Sequence, residues 1–394
     1  MKKLVVVVLA LICALSMFGC GGGGTSTNTN TGTTGDTTTS GDEGLRVVIV
    51  TCPSGVDDGS FNQDNYEGAV AFVDANPGTV LDPIREQDVA NAIPAVEAVV
   101  ADYDVIITPG YQFAGIYEMA VDNPEKKFIL VDSFPADADG NEVAADNIYA
   151  MQFAEQEAGF FAGISAALET KTGKVAVVNG IAYPSNVNYQ FGFMSGVNYA
   201  NKNLSANATI VELPSYASTD VTGADVGGNY IGDFSDEATG KVVGEALLAE
   251  GVDIIFVAAG ASGNGVFTAV KEYNQANGAG SAYVIGCDVD QFDDGAYSGG
   301  NIVLTSATKV MSPNVTKQLN NIKAGTFAGG NYILTAETDS TGYISEAGRQ
   351  QLSEQSLAEL EAAYILVKDG TIVPAANFNG EGGALGDPTN FKGL

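Results

Sequence analysis

The chain has 394 residues, 45% of them apolar, with 17 basic against 48 acidic side chains and a formal net charge of −31. That balance excludes a nucleic-acid backbone or an anionic lipid surface as a partner and assigns the acidity to solubility. The absence of His and Trp removes the commonest general base, the commonest zinc ligand and every Ser-His-Asp or Cys-His arrangement.

In chain order, Met1, Lys2 and Lys3 precede an apolar run from Leu4 to Leu15, the length of a secretory h-region and too short to span a bilayer. Ser16-Met17-Phe18-Gly19-Cys20 follows. A small residue before a cysteine at this point is the pattern of a bacterial lipoprotein signal, so residues 1–19 are read as a leader and Cys20 as the lipidated first residue of the mature protein. Gly21 to Glu43 has no large apolar side chain and cannot bury enough surface to fold. Residues 20–44 read as a tether, and a flexible coil of about 23 residues spans roughly 25–30 Å.

Roughly 350 residues remain, enough for two lobes. Arg46–Thr51 is a short β-branched strand, and Phe61–Asn76 a helix with Tyr66, Ala69, Val70 and Val73 on one face. Strands follow at Val105–Thr108 and Lys127–Val131, with a helix over Tyr111–Val121 between them. The pattern restarts with a helix over Phe153–Leu168, a strand at Lys174–Val178 and a helix around Gly192–Ala200. Strands at Thr209–Leu213, Asp253–Val257, Tyr283–Gly286 and Ile302–Thr305 alternate with helices at Lys241–Glu250 and Val266–Gln275. Pro214–Glu237 reads as a loop, and Pro313–Ala324 and Glu346–Val367 as late helices. Two such βαβ series predict an α/β protein of two lobes, each a mainly parallel sheet flanked by helices. Ligands in such sheets bind beyond the carboxyl ends of the strands.

The first strand empties into Cys52-Pro53-Ser54-Gly55-Val56-Asp57, then Asp58-Gly59-Ser60-Phe61-Asn62-Gln63 and Tyr66-Glu67-Gly68. Further on stand Phe128-Ile129-Leu130-Val131-Asp132, Glu157-Ala158-Gly159-Phe160, Gly192-Phe193 and Asp253-Ile254-Ile255-Phe256. Ile285-Gly286-Cys287-Asp288-Val289-Asp290-Gln291 and Leu304-Thr305-Ser306-Ala307-Thr308-Lys309 complete the series. In this order the motifs resemble the basic-membrane-protein (BMP, PnrA-like) family, over roughly Leu45 to Pro374. Its members are lipid-anchored substrate-binding proteins of ABC transporters, typically for purine and other nucleosides.

The resemblance implies a two-lobed, type I periplasmic-binding-protein-like fold with the ligand in the interlobe cleft. The expected lobes are 45–150 with about 306–328, and 151–305 with about 329–394. It further implies that Phe61 and Phe256 stack on the two faces of a base, that Asp288 and Lys309 bind ribose hydroxyls, that Asn62 orients the ligand and that Asp132 accepts hydrogen bonds from it. Cys52 stands where the family usually has an acid that helps read the base, and Gly260 in a Gly-rich turn lets backbone approach the ligand. Cys52 and Cys287 are expected as free thiols on opposite lobes. Asp288, Asp290, Asp293 and Asp294 do not keep EF-hand spacing, because Asp293 stands where that loop needs Gly. No metal, cofactor or catalytic residue is expected. The partners implied are a nucleoside, a membrane permease powered by an ATPase, and the outer face of the cell membrane through a lipid on Cys20, with the protein acting as a monomer. The same fold binding a sugar or signalling molecule, a sensory receptor, and an extracellular nucleoside hydrolase are the alternatives.

Overall fold

The computed structural model describes residues 44–378 and 386–394. The leader, Cys20 and the Gly21–Glu43 stretch lie outside the described residues. Among the described residues no helix is long and apolar enough to cross a membrane.

The first series comprises β1 (Arg46–Thr51), α1 (Phe61–Ala75), β2 (Val80–Arg85), α2 (Ala92–Glu97), β3 (Val105–Pro109), α3 (Tyr117–Asp122), β4 (Lys127–Val131) and β5 (Ile148–Phe153). Next come α4 (Glu155–Glu169), β6 (Lys174–Asn179), α5 (Pro184–Asn203), β7 (Thr209–Ile210), a short pair β8 (Ser218–Thr219) and β9 (Asp225–Gly227), and α6 (Glu237–Ala249). The chain continues through β10 (Ile254–Ala258), α7 (Gly263–Asn277), β11 (Tyr283–Asp288), a second short pair β12 (Ala296–Tyr297) and β13 (Gly300–Asn301), and β14 (Val303–Lys309). It ends with α8 (Met311–Lys323), β15 (Gly330–Leu334), β16 (Thr341–Tyr343) and α9 (Glu354–Lys368).

Two six-stranded sheets result, in the orders β15-β5-β4-β3-β1-β2 and β16-β14-β11-β10-β6-β7. The first is parallel throughout. The second is parallel except for β16, which runs antiparallel to β14. In each, chain order reverses beside the first strand: β2 and β3 flank β1, and β7 and β10 flank β6. These reversals are the switch points at which open α/β sheets leave a crevice.

The strands are continuous apolar runs because both faces are covered. Val47 and Ile49 pack under α1 and α8 with Phe72 and Leu319. Val48 and Val50 face the other way, against Val96, Phe113 and Ile116. The second sheet is sandwiched in the same way, with Val177, Phe256 and Ile285 on the α4–α5 side and Val178, Ile255 and Val257 on the α6–α7 side.

Sheet membership places the crossings between lobes after residues 153, 309 and 334, against sequence expectations near 150, 305 and 328. β14 runs to Lys309 because it pairs with β11 up to Thr308 and with β16 at Lys309. β15 joins the first sheet by pairing with β5. Within the two main sheets, β2, β5, β15 and the three-residue β16 carry no clear sequence signal. β5 is buried on both faces and ends one residue before α4, so it has no alternation to set it apart from the helix that follows. β2 and β15 are edge strands, and Pro83 weakens the β2 pattern. The last helix begins at Glu354, later than Glu346, where the Ser353 side chain accepts a hydrogen bond from the backbone N–H of Ser356.

Helices α4 and α5 meet backbone to backbone. A Cβ on Gly163 would stand 2.2 Å from the Phe193 carbonyl oxygen, and one on Gly196 2.1 Å from that of Phe160. Backbone cannot yield as a side-chain tip can, so G196A should force the helices apart and destabilise the protein by about 1–3 kcal/mol. A thermal melt checks this; an unchanged midpoint would contradict the close packing.

Candidate functional site

The carboxyl ends of both sheets open on one pocket. From the first sheet come Cys52, Ser54, Asp58, Phe61 and Asn62 after β1, Pro109 to Gln112 at the end of β3, and Asp132 after β4. The second supplies Tyr183, Ser185 and Asn186 after β6, Ala258 closing β10 and Gly260 after it, Cys287 and Asp288 closing β11, and Lys309 closing β14. Tyr189 from α5 and Phe234 complete it. Counted to its open mouth, with the solvent there included, the space is about 560 Å³.

Local geometry aims the side chains. Asp132 and Asp288 both adopt left-handed backbone, with φ of 59° and 70°, conformations that Asp tolerates better than most residues and that turn each carboxylate off its strand end. Asp58 accepts hydrogen bonds from the backbone N–H groups of Ser60, Asn62 and Gln63 and so caps α1. That bond set holds Phe61 and Asn62 at the helix start. Gly260, at φ 53°, lets the turn after β10 pass beside Phe234.

The electrostatic centre is Lys309. Its Nζ lies 2.5 Å from Asp132, 3.4 Å from Asp288 and 3.8 Å from Glu155, with all four side chains buried or nearly so. The ammonium also sits 4.9 Å from the Phe61 ring centroid, 5.5 Å from Tyr189 and 5.6 Å from Phe153, within cation–π range. Burial alone would lower its pKa, but the three carboxylates outweigh burial and hold the lysine charged. Burial pushes the Asp132 carboxyl up against the pull of Lys309. It pushes Glu155 up to about 8, with Asp132 adding to the rise. Asp288 accepts from Tyr189 Oη and from Ser60 Oγ, each at 3.0 Å.

Several bonds join the two lobes across the cleft. Besides Ser60 to Asp288 and Lys309 to Asp132, Ser54 Oγ donates to the Phe234 carbonyl at 3.3 Å and Gln291 Nε2 to the Gly59 carbonyl at 3.3 Å. The structure is therefore a closed form.

Of the residues singled out in the sequence, Cys52, Phe61, Asn62, Asp132, Gly260, Asp288 and Lys309 all line this pocket. Phe256 does not. It is fully buried in β10, 5.9 Å from the Phe193 ring and 5.5 Å from Tyr189, because its side chain points to the α4–α5 face of the sheet. The rings that the second lobe brings to the pocket are Tyr183, Tyr189 and Phe234 instead. Tyr183 lies 5.2 Å from Tyr111 of the first lobe and 6.0 Å from Phe234. Phe234 sits in the Pro214–Glu237 stretch, whose irregular pattern hides it. Tyr189 precedes the span Gly192–Ala200 to which helical periodicity is confined in the sequence. Asp290 and Asp293 turn away to Arg349, at 2.6 and 2.9 Å. Cys52 and Cys287 are free thiols, half-buried and buried. Cys52 lies 3.4 Å from both Asn62 Nδ2 and Ser54 Oγ.

Comparison with known proteins agrees with this architecture. The family model described as ABC transporter substrate-binding protein, PnrA-like (Bmp) matches residues 45–213 and 222–361. A CD4+ T-cell-stimulating antigen of Listeria innocua is 31% identical over 353 residues, covering 86% of this chain and 90% of its own. An ABC transporter nucleoside-binding protein, BmpA, of Lactococcus lactis is 28% identical, covering 71% and 76%. Among solved structures, an ABC transporter solute-binding protein of Aeropyrum pernix superposes with a TM-score of 0.71 at 22% identity, covering 86% of this chain and 94% of that one; at that identity the likeness is one of fold. Two α/β lobes with a shared pocket at their strand ends, and a family match over most of the described chain, make this protein a member of the Bmp family of ABC transporter substrate-binding proteins, a binding protein and not an enzyme.

Proposed function

We propose that the protein captures a nucleoside, a purine nucleoside in particular, in the closed cleft and delivers it to a membrane permease. The observation that carries this reading is the two-sided character of the pocket. Phe61, Tyr111, Tyr183 and Phe234 offer aromatic surface, while Asp132, Asp288 and Lys309 concentrate charge in the same space. A flat base beside a polyhydroxylated sugar has that same division. Stacking on aromatic side chains is worth about 1–3 kcal/mol per base and tolerates different bases. A charged pair facing a vicinal diol discriminates strongly, because a missing hydroxyl leaves a desolvated group unpaired.

On this reading Phe61 stacks on the base, with rings of the Tyr183–Phe234 group taking the place expected of Phe256. Asp288 and Lys309 address the ribose, and Asp132 accepts from it. Asn62 Oδ1 is buried without a hydrogen-bond partner, so it calls for an N–H donor on the base edge. Cys52, beside Asn62, puts a sulfur at the same edge, and Gly260 lets backbone come close. The name of the Lactococcus lactis relative supports the ligand class. The Gly19-Cys20 pattern supports a lipid anchor on the outer face of the membrane, with the following stretch as tether and the binding domain working as a monomer.

Titration calorimetry of the refolded domain from Leu45 onward should give submicromolar binding of purine nucleosides, with free base and free ribose weak. Equal or tighter binding of ribose would replace the reading with sugar capture. F61A should weaken the nucleoside about tenfold or more, since about 1.4 kcal/mol is one decade. D288A should abolish high-affinity binding with an unchanged circular dichroism spectrum, and wild-type affinity in that variant would remove Asp288 from the site.

A further inference from the structure

At one corner of the pocket the neighbours of a buried amide settle which of its two ends is left for a ligand. Asn62 stands in the first turn of α1, is 1% exposed and lines the pocket. Its backbone N–H donates to Asp58, which fixes where the side chain starts. Its Nδ2 donates to Cys52 Sγ at 3.4 Å, while its Oδ1 is buried without a hydrogen-bond partner. A buried acceptor with nothing to accept from is costly until a donor arrives.

Counting hydrogens decides which way the amide faces. Ser54 Oγ has a single hydrogen and gives it to the Phe234 carbonyl at 3.3 Å. Cys52 Sγ lies 3.4 Å from Ser54 Oγ, so the hydrogen in that contact comes from the thiol. The sulfur then has only lone pairs to offer Asn62, and they accept from Nδ2. In a flipped amide the thiol hydrogen would go to Oδ1, and Sγ and Ser54 Oγ would meet with no hydrogen between them. The bonds therefore run in one direction, from Asn62 through Cys52 and Ser54 to Phe234. Ser54 follows β1 of the first sheet and Phe234 precedes α6 of the second lobe, so the last of these bonds crosses the cleft.

We propose that Cys52 is a positioning residue that sets specificity. By accepting from Asn62 and donating to Ser54 it holds the amide with its oxygen left for the ligand, so the closed cleft selects nucleosides whose base offers an N–H at that edge. Bases that present only ring-nitrogen acceptors there are discriminated against. This rests on the nucleoside reading above and adds the polarity of base edge that the pocket takes. A thiol suits the position because it donates and accepts at once; serine has the same two capacities and alanine has neither.

Titration calorimetry of the protein with adenosine, guanosine, inosine and purine riboside tests the proposal. Purine riboside keeps the ring system and the sugar but has no N–H on its base. The wild type should bind the tightest of the other three at least about tenfold more strongly than purine riboside, since a site built around a hydrogen bond rejects the analogue that lacks it. In C52A the amide is released and can turn Nδ2 to a ring nitrogen, so that ratio should fall by roughly threefold to tenfold. S54A should lower it too, because the thiol hydrogen is then free to satisfy Asn62 Oδ1. C52S should hold the wild-type ratio. A general loosening of the pocket would weaken all four ligands alike and leave the ratio where it was.

Purine riboside binding the wild type as tightly as the other three would overturn the proposal and leave nucleoside capture standing. So would an unchanged ratio in C52A or S54A, or a ratio in C52S that collapses as in C52A. Failure of all four ligands to bind the wild type would instead overturn the nucleoside reading, and this proposal with it.

Discussion

The closed form is organised around one buried ammonium. Lys309 gathers carboxylates from both lobes, and removing it would leave like charges facing each other without solvent. A buried ion pair of this kind is weak evidence for net stability, because desolvation offsets most of the attraction. Its use here is conformational. Asp132 follows β4 of the first sheet, Asp288 and Lys309 close β11 and β14 of the second, and Glu155 opens α4 at the crossing between them, so the Lys309 contact with Asp132 joins one lobe to the other. Such a contact across the lobes is what a hinge-bending capture protein requires.

The rest of the fold puts those groups within reach. Parallel sheets send their strand ends in one direction, and each sheet reverses its order beside its first strand, leaving a crevice. Facing the two crevices makes one pocket from seven strand ends. The left-handed backbone at Asp132 and Asp288 is local strain at the site, stabilised by the rigid, doubly covered sheets behind it. The glycine contact between α4 and α5 belongs to the same frame, since α4 begins at Glu155 and α5 carries Tyr189.

Legibility in the sequence tracked the physical source of each signal. Strands such as β1, β4 and β10 are uninterrupted apolar runs that end in turn residues, and the pattern alone locates them within a residue or two. β5 was hidden because a strand buried on both faces has no alternation to separate it from the helix that follows. Lys309 was placed by motif order, and its local strand was longer than the apolar pattern implied because polar Ser306 and Thr308 pair within it. Phe256 illustrates the limit of such transfer. A residue near a strand's end alternates between faces, and here the face is the core.

The sequence by itself determined the class of fold, the exclusion of nucleic acid and of histidine chemistry, and the set of polar residues at the strand ends. Those depend on composition and on local periodicity, which neighbours along the chain decide. Tertiary structure alone decided which aromatics face the pocket, that Tyr111 and Tyr183 meet across the lobes, and that Glu155 joins Asp132 and Asp288 around one lysine. These residues lie more than a hundred positions apart in places, and only the packing of two sheets brings their charges into one low-dielectric space where they act on each other.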